Sequence, residues 1–234
     1  NKNSLTQFQK RISYYKSADH YFINPEDIES VDSLLNKLAG YDLVIAGIFG
    51  LDQRPQKQFG ITDGLSDLME KLASGTRTIA IWFGNPYGIN RIRSLLTVSA
   101  LLLAYQENDF TEDLTAQLIF GGIGAQGKLP VTINEKLPFG FGIATPGDLR
   151  LQYGLPENAG MSSKLIENKI DSIVANALEK KAFPGCQIIA ARKGIAVFNK
   201  SYGYTTYDSL DAVGDKSLFD LASVTKITAA APAL

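Results

Sequence analysis

The chain has 234 residues, 45% hydrophobic and 20% charged; this is the composition of a folded protein, long enough for one large domain or two small ones, and it excludes the disordered class. With 23 basic and 24 acidic residues the net charge is −1, so no basic field points to nucleic acid or to an anionic membrane. One cysteine, Cys186, and one histidine, His20, exclude an internal disulfide, a cysteine-cluster metal site and a multi-histidine site, and they argue against a Ser-His-Asp triad. No apolar run reaches the roughly 18–20 residues a membrane span needs. The polar opening Asn1-Lys2-Asn3 does not read as a secretory signal; a signal, where the gene product has one, is expected to precede these residues.

In chain order, the first half alternates helical and strand patterns. Leu5, Phe8, Ile12 and Tyr15 share one helical face. A second helix is predicted after Asn24-Pro25, burying Ile28, Val31, Leu34, Leu35 and Leu38 and stopping near Gly40. The run Leu43–Ile48 lacks polar alternation, as in a strand covered on both faces. A helix near Gly64–Ala73, a strand at Thr78–Phe83 and a turn, Gly84-Asn85-Pro86-Tyr87-Gly88, follow. Beyond them come an apolar stretch over Val98–Tyr105, a helix capped by Thr111 and running through Leu118, and a final strand at Leu129–Ile133. This alternation predicts an α/β layer fold on a parallel sheet. Because the pattern opens on a helix, a strand is expected to precede it.

The segment Pro138–Gly160, rich in proline and glycine, reads as turns and extended pieces. The expected organisation is an α/β domain over 1–145, a linker over 146–160 and a second domain over 161–234. In that second part Ser162 or Ser163 caps a helix with Leu165, Ile166, Ile170, Ile173, Val174, Ala177 and Leu178 on one side. Gln187–Ala191 and Ile195–Tyr202 read as a hairpin turning at Lys193-Gly194, a weaker signal than Asn-Gly. Phe219–Lys226 then leads into an alanine-rich helical run. A helix, a hairpin and a helix open an α+β domain but do not bury a core alone, so this domain is expected to be incomplete at Leu234.

Two motifs could carry chemistry. Gly122-Ile123-Gly124-Ala125-Gln126-Gly127 matches G-x-G-x-x-G, and Lys128 extends it toward a phosphate loop. Leu129, however, stands where Ser or Thr would hold magnesium, and the glycines follow a helix instead of opening one. Context favours a glycine-rich helix exit, and no cofactor is expected. Ser-x-x-Lys occurs at Ser13–Lys16 and at Ser223–Lys226. On a helix such a pair puts the amine beside the hydroxyl, and near a helix start the dipole and desolvation favour a neutral lysine able to take the serine proton. Ser13 falls mid-helix. Ser223 follows the apolar Phe219–Ala222 and precedes small residues, but on pattern alone an ordinary helix cap is the better reading. Asp109, Glu112 and Asp113 suit a helix start as dipole partners. Asp42, Asp52 and Asp63 fall near strand ends or loops, Cys186 reads as a small buried hydrophobe, Trp82 and Phe83 as core, and His20 as structural.

Residues from about Tyr41 to Ile143 resemble the C-terminal α/β sandwich domain of glycoside hydrolase family 3. Leu43–Gly47, Ile81–Tyr87, Ala116–Gly121 and above all Gly127-Lys128-Leu129-Pro130-Val131-Thr132 carry the likeness. Residues from about Gly160 onward resemble the beginning of a serine β-lactamase-like domain, of the class C, D-peptidase and esterase group. There Phe183-Pro184-Gly185-Cys186, the hairpin through Gly203-Tyr204, and Leu221-Ala222-Ser223-Val224-Thr225-Lys226 carry it. The order is similar to that of bacterial fusions of a β-N-acetylhexosaminidase with a β-lactamase-like domain.

The resemblance implies a parallel-sheet three-layer sandwich followed by the incomplete start of an α+β domain. It implies that Ser223 is the nucleophile and Lys226 its activating partner, with the later Tyr-x-Asn and glycine motifs beyond Leu234. It places the glycosidase's aspartate and proton donor in a barrel domain before Asn1, makes Asn85 and Tyr87 candidates for a sugar contact, and implies glycoside or peptidoglycan-type substrates and a periplasmic or cell-surface location. Alternatives of other classes are a non-catalytic structural or interaction module with an inert Ser223, and a nucleotide-binding protein using Gly122–Gly127.

Overall fold

The computed structural model describes residues 4–233, in two units that part between Arg150 and Leu151. In the first unit Thr6 starts a helix by a reciprocal cap. Its hydroxyl accepts the Gln9 N–H at 3.2 Å, and its own N–H donates to the Gln9 side chain at 3.1 Å. Helix α1 (Gln7–Tyr15) follows, and Asp27 then caps α2 (Ile28–Leu38). Strand β1 (Val44–Ile48), α3 (Asp63–Gly75, capped by Thr62), β2 (Thr78–Trp82), β3 (Ala100–Leu103) and α4 (Asp109–Ile119) complete the regular elements of this unit. The α4 cap is Asn108, whose side chain accepts the Phe110 and Thr111 N–H groups at 3.1 and 3.0 Å. Thr111, the expected cap, lies one turn inside, because an asparagine three residues earlier already satisfies the first free amides.

The three strands form one parallel sheet in the order β1-β2-β3, with Val44 opposite Thr78 and Ile79 opposite Ala100. Alternation along β2 divides the core. Ala80 and Trp82 point to one face, among Val31 and Leu38 of α2 and Leu68, Met69 and Leu72 of α3. Ile81 and the adjoining Phe83 point to the other, against Phe8 and Ile12 of α1 and Ala116 of α4. Helices thus cover both faces, which is why the strands carry unbroken apolar runs. On the second face Glu112, buried on α4, accepts the Phe8 N–H at 3.1 Å, and Asp113 pairs with Arg11 at 2.6 Å. Glu112 is a dipole partner as its type suggests, but for the start of α1 as well as for its own helix.

The strand expected at Leu129–Ile133 is absent. Pro130 has no N–H to give a ladder, and the segment folds back on its own continuation instead. Leu129 donates to the Phe141 carbonyl and accepts from the Gly140 N–H, each at 2.8 Å, while Thr132 Oγ1 accepts the Phe139 N–H at 3.0 Å. Leu129 and Ile133 still bury their side chains in the first core.

Residues 146–160 are divided between the units. Leu149 and Arg150 donate to the Gly121 carbonyl at 2.9 and 3.3 Å and so belong to the first unit. In the second unit β4 (Gln152–Tyr153) lies parallel to Ile195-Ala196, and a turn at Pro156–Ala159 buries Pro156 and Ala159. Ser162 caps α5 (Ser163–Glu179), and β5 (Gly185–Arg192) and β6 (Ile195–Gly203) form an antiparallel hairpin. Lys193 and Gly194 have φ of 54° and 77°, the left-handed pair that matches a two-residue turn to the strand twist. The apolar face of α5 is narrower than expected: Ile166, Ile170, Ala177 and Leu178 are half-buried around Val174. Val174 is its buried residue, whereas Leu165 and Ile173 lie open to solvent. Asp171 of α5 ties helix to hairpin: its carboxylate accepts from Lys200 Nζ at 2.9 Å and from the Tyr202 hydroxyl at 2.5 Å.

Candidate active site at Ser223 and Lys226

The segment before Ser223 is a sequence of tight turns. The Asp220 carboxylate accepts the Ala222 N–H at 2.7 Å, and Ala222 adopts a left-handed backbone with φ of 43°, a conformation that costs a residue bearing a Cβ free energy. Val224, Thr225 and Lys226 then donate to the carbonyls three residues back, at 2.9, 3.2 and 3.1 Å. Ser223 therefore stands immediately before the first helical residues, 224–225. The run beyond is not the plain α-helix expected: Lys226–Ala230 form a wide π-helical turn before Ala231–Ala233. The spacing of three closes the two side chains on each other, and Lys226 Nζ donates to Ser223 Oγ at 2.9 Å. Both residues are exposed. That separation is within the reach a nucleophile and its base require.

The other Ser-x-x-Lys pair has no such geometry. Ser13 Oγ donates to the Gln9 carbonyl at 3.1 Å, inside its own helix, and lies 2.9 Å from His20 Nε2. The Ser13–His20 contact escaped sequence reasoning, since a spacing of seven across a helix end carries no pattern.

Asn85 and Tyr87 follow β2, at the carboxyl edge of the parallel sheet, where open α/β sheets commonly bind ligands. The Asn85 side chain is committed within the loop: Oδ1 accepts the Tyr87 N–H at 3.0 Å and Nδ2 donates to the Gln53 carbonyl at 3.1 Å. Its carbonyl also accepts from Trp82 Nε1 at 2.9 Å. Asn85 thus shapes the turn, while the Tyr87 ring is exposed. The neighbouring loops bring an Asp52–Arg54 pair, whose hydrogen bonds hold the Asp52 carboxyl well below its ordinary range, and Glu107, which accepts the Gly50 N–H at 2.6 Å. Asn85 and Tyr87 lie in the first unit, Ser223 and Lys226 in the second.

Gly122–Gly127 leave the end of α4 and open no helix. A Cβ on Gly124 would lie 2.6 Å from the Thr145 carbonyl and 2.9 Å from the Gly147 nitrogen, so close packing of two backbone segments accounts for this glycine. Among the described residues, no group of three or more His, Cys, Asp or Glu is placed to hold a metal, and no helix is long and apolar enough to cross a membrane.

Elsewhere in the second unit, hydrogen bonds from Tyr202 and Lys200 hold the Asp171 carboxyl below its ordinary range, while burial and Asp171 push the Tyr202 phenol up. Burial raises the Cys186 thiol, which disfavours a reactive thiolate there. Comparison with protein families, with curated proteins and with solved structures found no match to this chain.

Proposed function

We propose that the chain is part of a bacterial bifunctional hydrolase. The first unit is the accessory sandwich domain of a family 3 β-N-acetylhexosaminidase, and the second is the nucleophile-bearing start of a serine β-lactamase-like acyl hydrolase. The observation that carries this reading is the 2.9 Å contact between Lys226 Nζ and Ser223 Oγ at the start of a helical run. The sequence resemblance and the helix-covered parallel sheet support it.

In the reaction proposed, Lys226 Nζ accepts the Ser223 proton as Oγ bonds to an amide or ester carbonyl carbon. The tetrahedral oxyanion is stabilised by backbone N–H donors such as that of Ser223. Collapse breaks the bond to the leaving group, which takes the proton from Lys226. Water then attacks the acyl-serine, releases the acid and restores the hydroxyl. The substrates are cell-wall or related amides and esters, met in the periplasm or at the cell surface. The glycosidase chemistry belongs to a barrel domain of the same full-length protein, and Tyr87, on the turn that Asn85 shapes, offers it a sugar contact.

The exposure of Ser223 and Lys226 favours a second reading, a non-catalytic interaction module in which the pair merely closes a turn. Ser223→Ala in the full-length protein separates the two. The hydrolase reading expects hydrolysis of nitrophenyl esters or nitrocefin to fall by roughly 10³-fold or more, with hydrolysis of a nitrophenyl N-acetylglucosaminide unchanged. Undiminished ester and lactam hydrolysis would establish the module.

A further inference from the structure

Ala222 is pinned on both sides. Its N–H donates to the Asp220 carboxylate at 2.7 Å, and its carbonyl accepts the Thr225 N–H at 3.2 Å. Between these two bonds its backbone is left-handed, with φ of 43°. Glycine takes that conformation freely, and asparagine or aspartate can offset its cost with a bond from its own short side chain. Alanine has neither resource, so its support comes from a neighbour, and the Asp220 carboxylate supplies it.

The conformation of Ala222 decides where the groups of Ser223 point. A trans peptide is planar, with its N–H directed opposite to its C=O. The Ala222 carbonyl is turned toward Thr225 and the helical run. The N–H of Ser223, in the same peptide, therefore points away from that run, and it is the donor assigned above to the oxyanion. The Ser223 hydroxyl leaves the same turn, 2.9 Å from Lys226 Nζ. If Ala222 relaxed to an ordinary negative φ, the 222–223 peptide would swing and carry both groups with it.

We propose that Asp220 is the positioning residue of this site: by accepting the Ala222 N–H it holds Ala222 left-handed, and so aims the Ser223 hydroxyl and N–H at a carbonyl group. The proposal rests on the reading of Ser223 as a nucleophile and adds the device that orients it. An ordinary helix cap does not account for the bond. A capping side chain accepts an N–H inside the first helical turn, whereas Ala222 precedes the first helical residues, 224–225.

The test uses the full-length protein and a nitrophenyl ester, with the initial burst of nitrophenol reporting acylation of Ser223. Asp220→Ala is expected to slow acylation by about 10²-fold, with the ester concentration for half-saturation little changed. Asp220→Asn keeps an acceptor oxygen and should retain most of the rate. Glycine accepts a left-handed turn without help, so adding Ala222→Gly to Asp220→Ala should restore about tenfold of the loss. Asp220 and Ala222 are both exposed, and the melting midpoint of the second unit should hold throughout. Unchanged acylation in Asp220→Ala, an equal loss in Asp220→Asn, or no recovery in the double variant overturns the role of Asp220. So does a rate loss that follows a lowered midpoint, which would make the bond merely structural. A wild-type protein that gives no burst overturns instead the reading of Ser223 itself.

Discussion

In the first unit Ile81, Trp82 and Phe83 are at most 1% exposed, whereas in the second unit Leu165, Ile173, Ile189 and Leu218 are between 56% and 99% exposed. Both units are built from helices and strands that carry large apolar residues. The difference lies in how many faces are covered. Helices lie on both sides of the parallel sheet, so every residue of β2 finds a core. The β5–β6 hairpin receives α5 on one face, and its alternation leaves the other in water. Burial is thus a property of the layers around an element more than of the element itself.

The largest effect that probes this contrast is expected from Trp82→Ala. Removing a wholly buried indole should cost about 3–5 kcal/mol and unfold the first unit in denaturant, while the α5–hairpin signals persist. If both units melted together, the division between Arg150 and Leu151 would not be energetic. Val174→Ala should cost about 2 kcal/mol and lower the second unit's midpoint alone. A smaller loss is expected at the hairpin turn: Gly194→Ala puts a Cβ on a residue with φ of 77°, at about 1 kcal/mol. Lys193→Asn at the adjoining left-handed position should have the opposite sign and raise the second unit's melting temperature slightly.

The smallest effect is one of pH. The Asp171 carboxyl is held below its ordinary value of 3.8 by Tyr202 and Lys200. Its contribution is therefore present above that value and is lost as pH falls through the folded-state pKa. Acid titration followed by circular dichroism should show the second unit loosening below about pH 4, and Asp171→Asn should remove that dependence. An unchanged acid transition in the variant would show that the carboxylate does not hold helix to hairpin.

What was legible in sequence follows the same line. β1 and β2 could be read because strands covered on both faces carry unbroken apolar runs, and the hairpin because its turn is local. The Ser223–Lys226 contact is also local, since three residues on a helical turn bring their side chains together. Leu129–Ile133 has the composition of a strand, but pairing is a long-range event, and Pro130 directs the segment to its own continuation. The Asp171 cluster was invisible because Lys200 and Tyr202 lie 29 and 31 residues away and meet it only once α5 packs on β6. The width of the α5 face has the same cause: periodicity placed Ile166, Ile170, Val174, Ala177 and Leu178 on the covered side, but how far the hairpin reaches, leaving Leu165 and Ile173 exposed, is set by packing. The hydrogen bonds of the Asn85 side chain to Tyr87 and to the Gln53 carbonyl were equally out of reach, because a loop amide carries no mark of which neighbours use it.

The bond from the Phe8 amide to the Glu112 carboxylate spans 104 residues. On a ribosome adding about 5–20 residues per second, α1 would wait roughly 5–20 s for that acceptor to be made. Its apolar stripe meets Ile81 and Phe83 sooner, but the side closed by Ala116 of α4 stays open until then. The earliest helix of this unit is therefore among the last to settle, and slowed translation between the two would lengthen its exposure to chaperones and proteases.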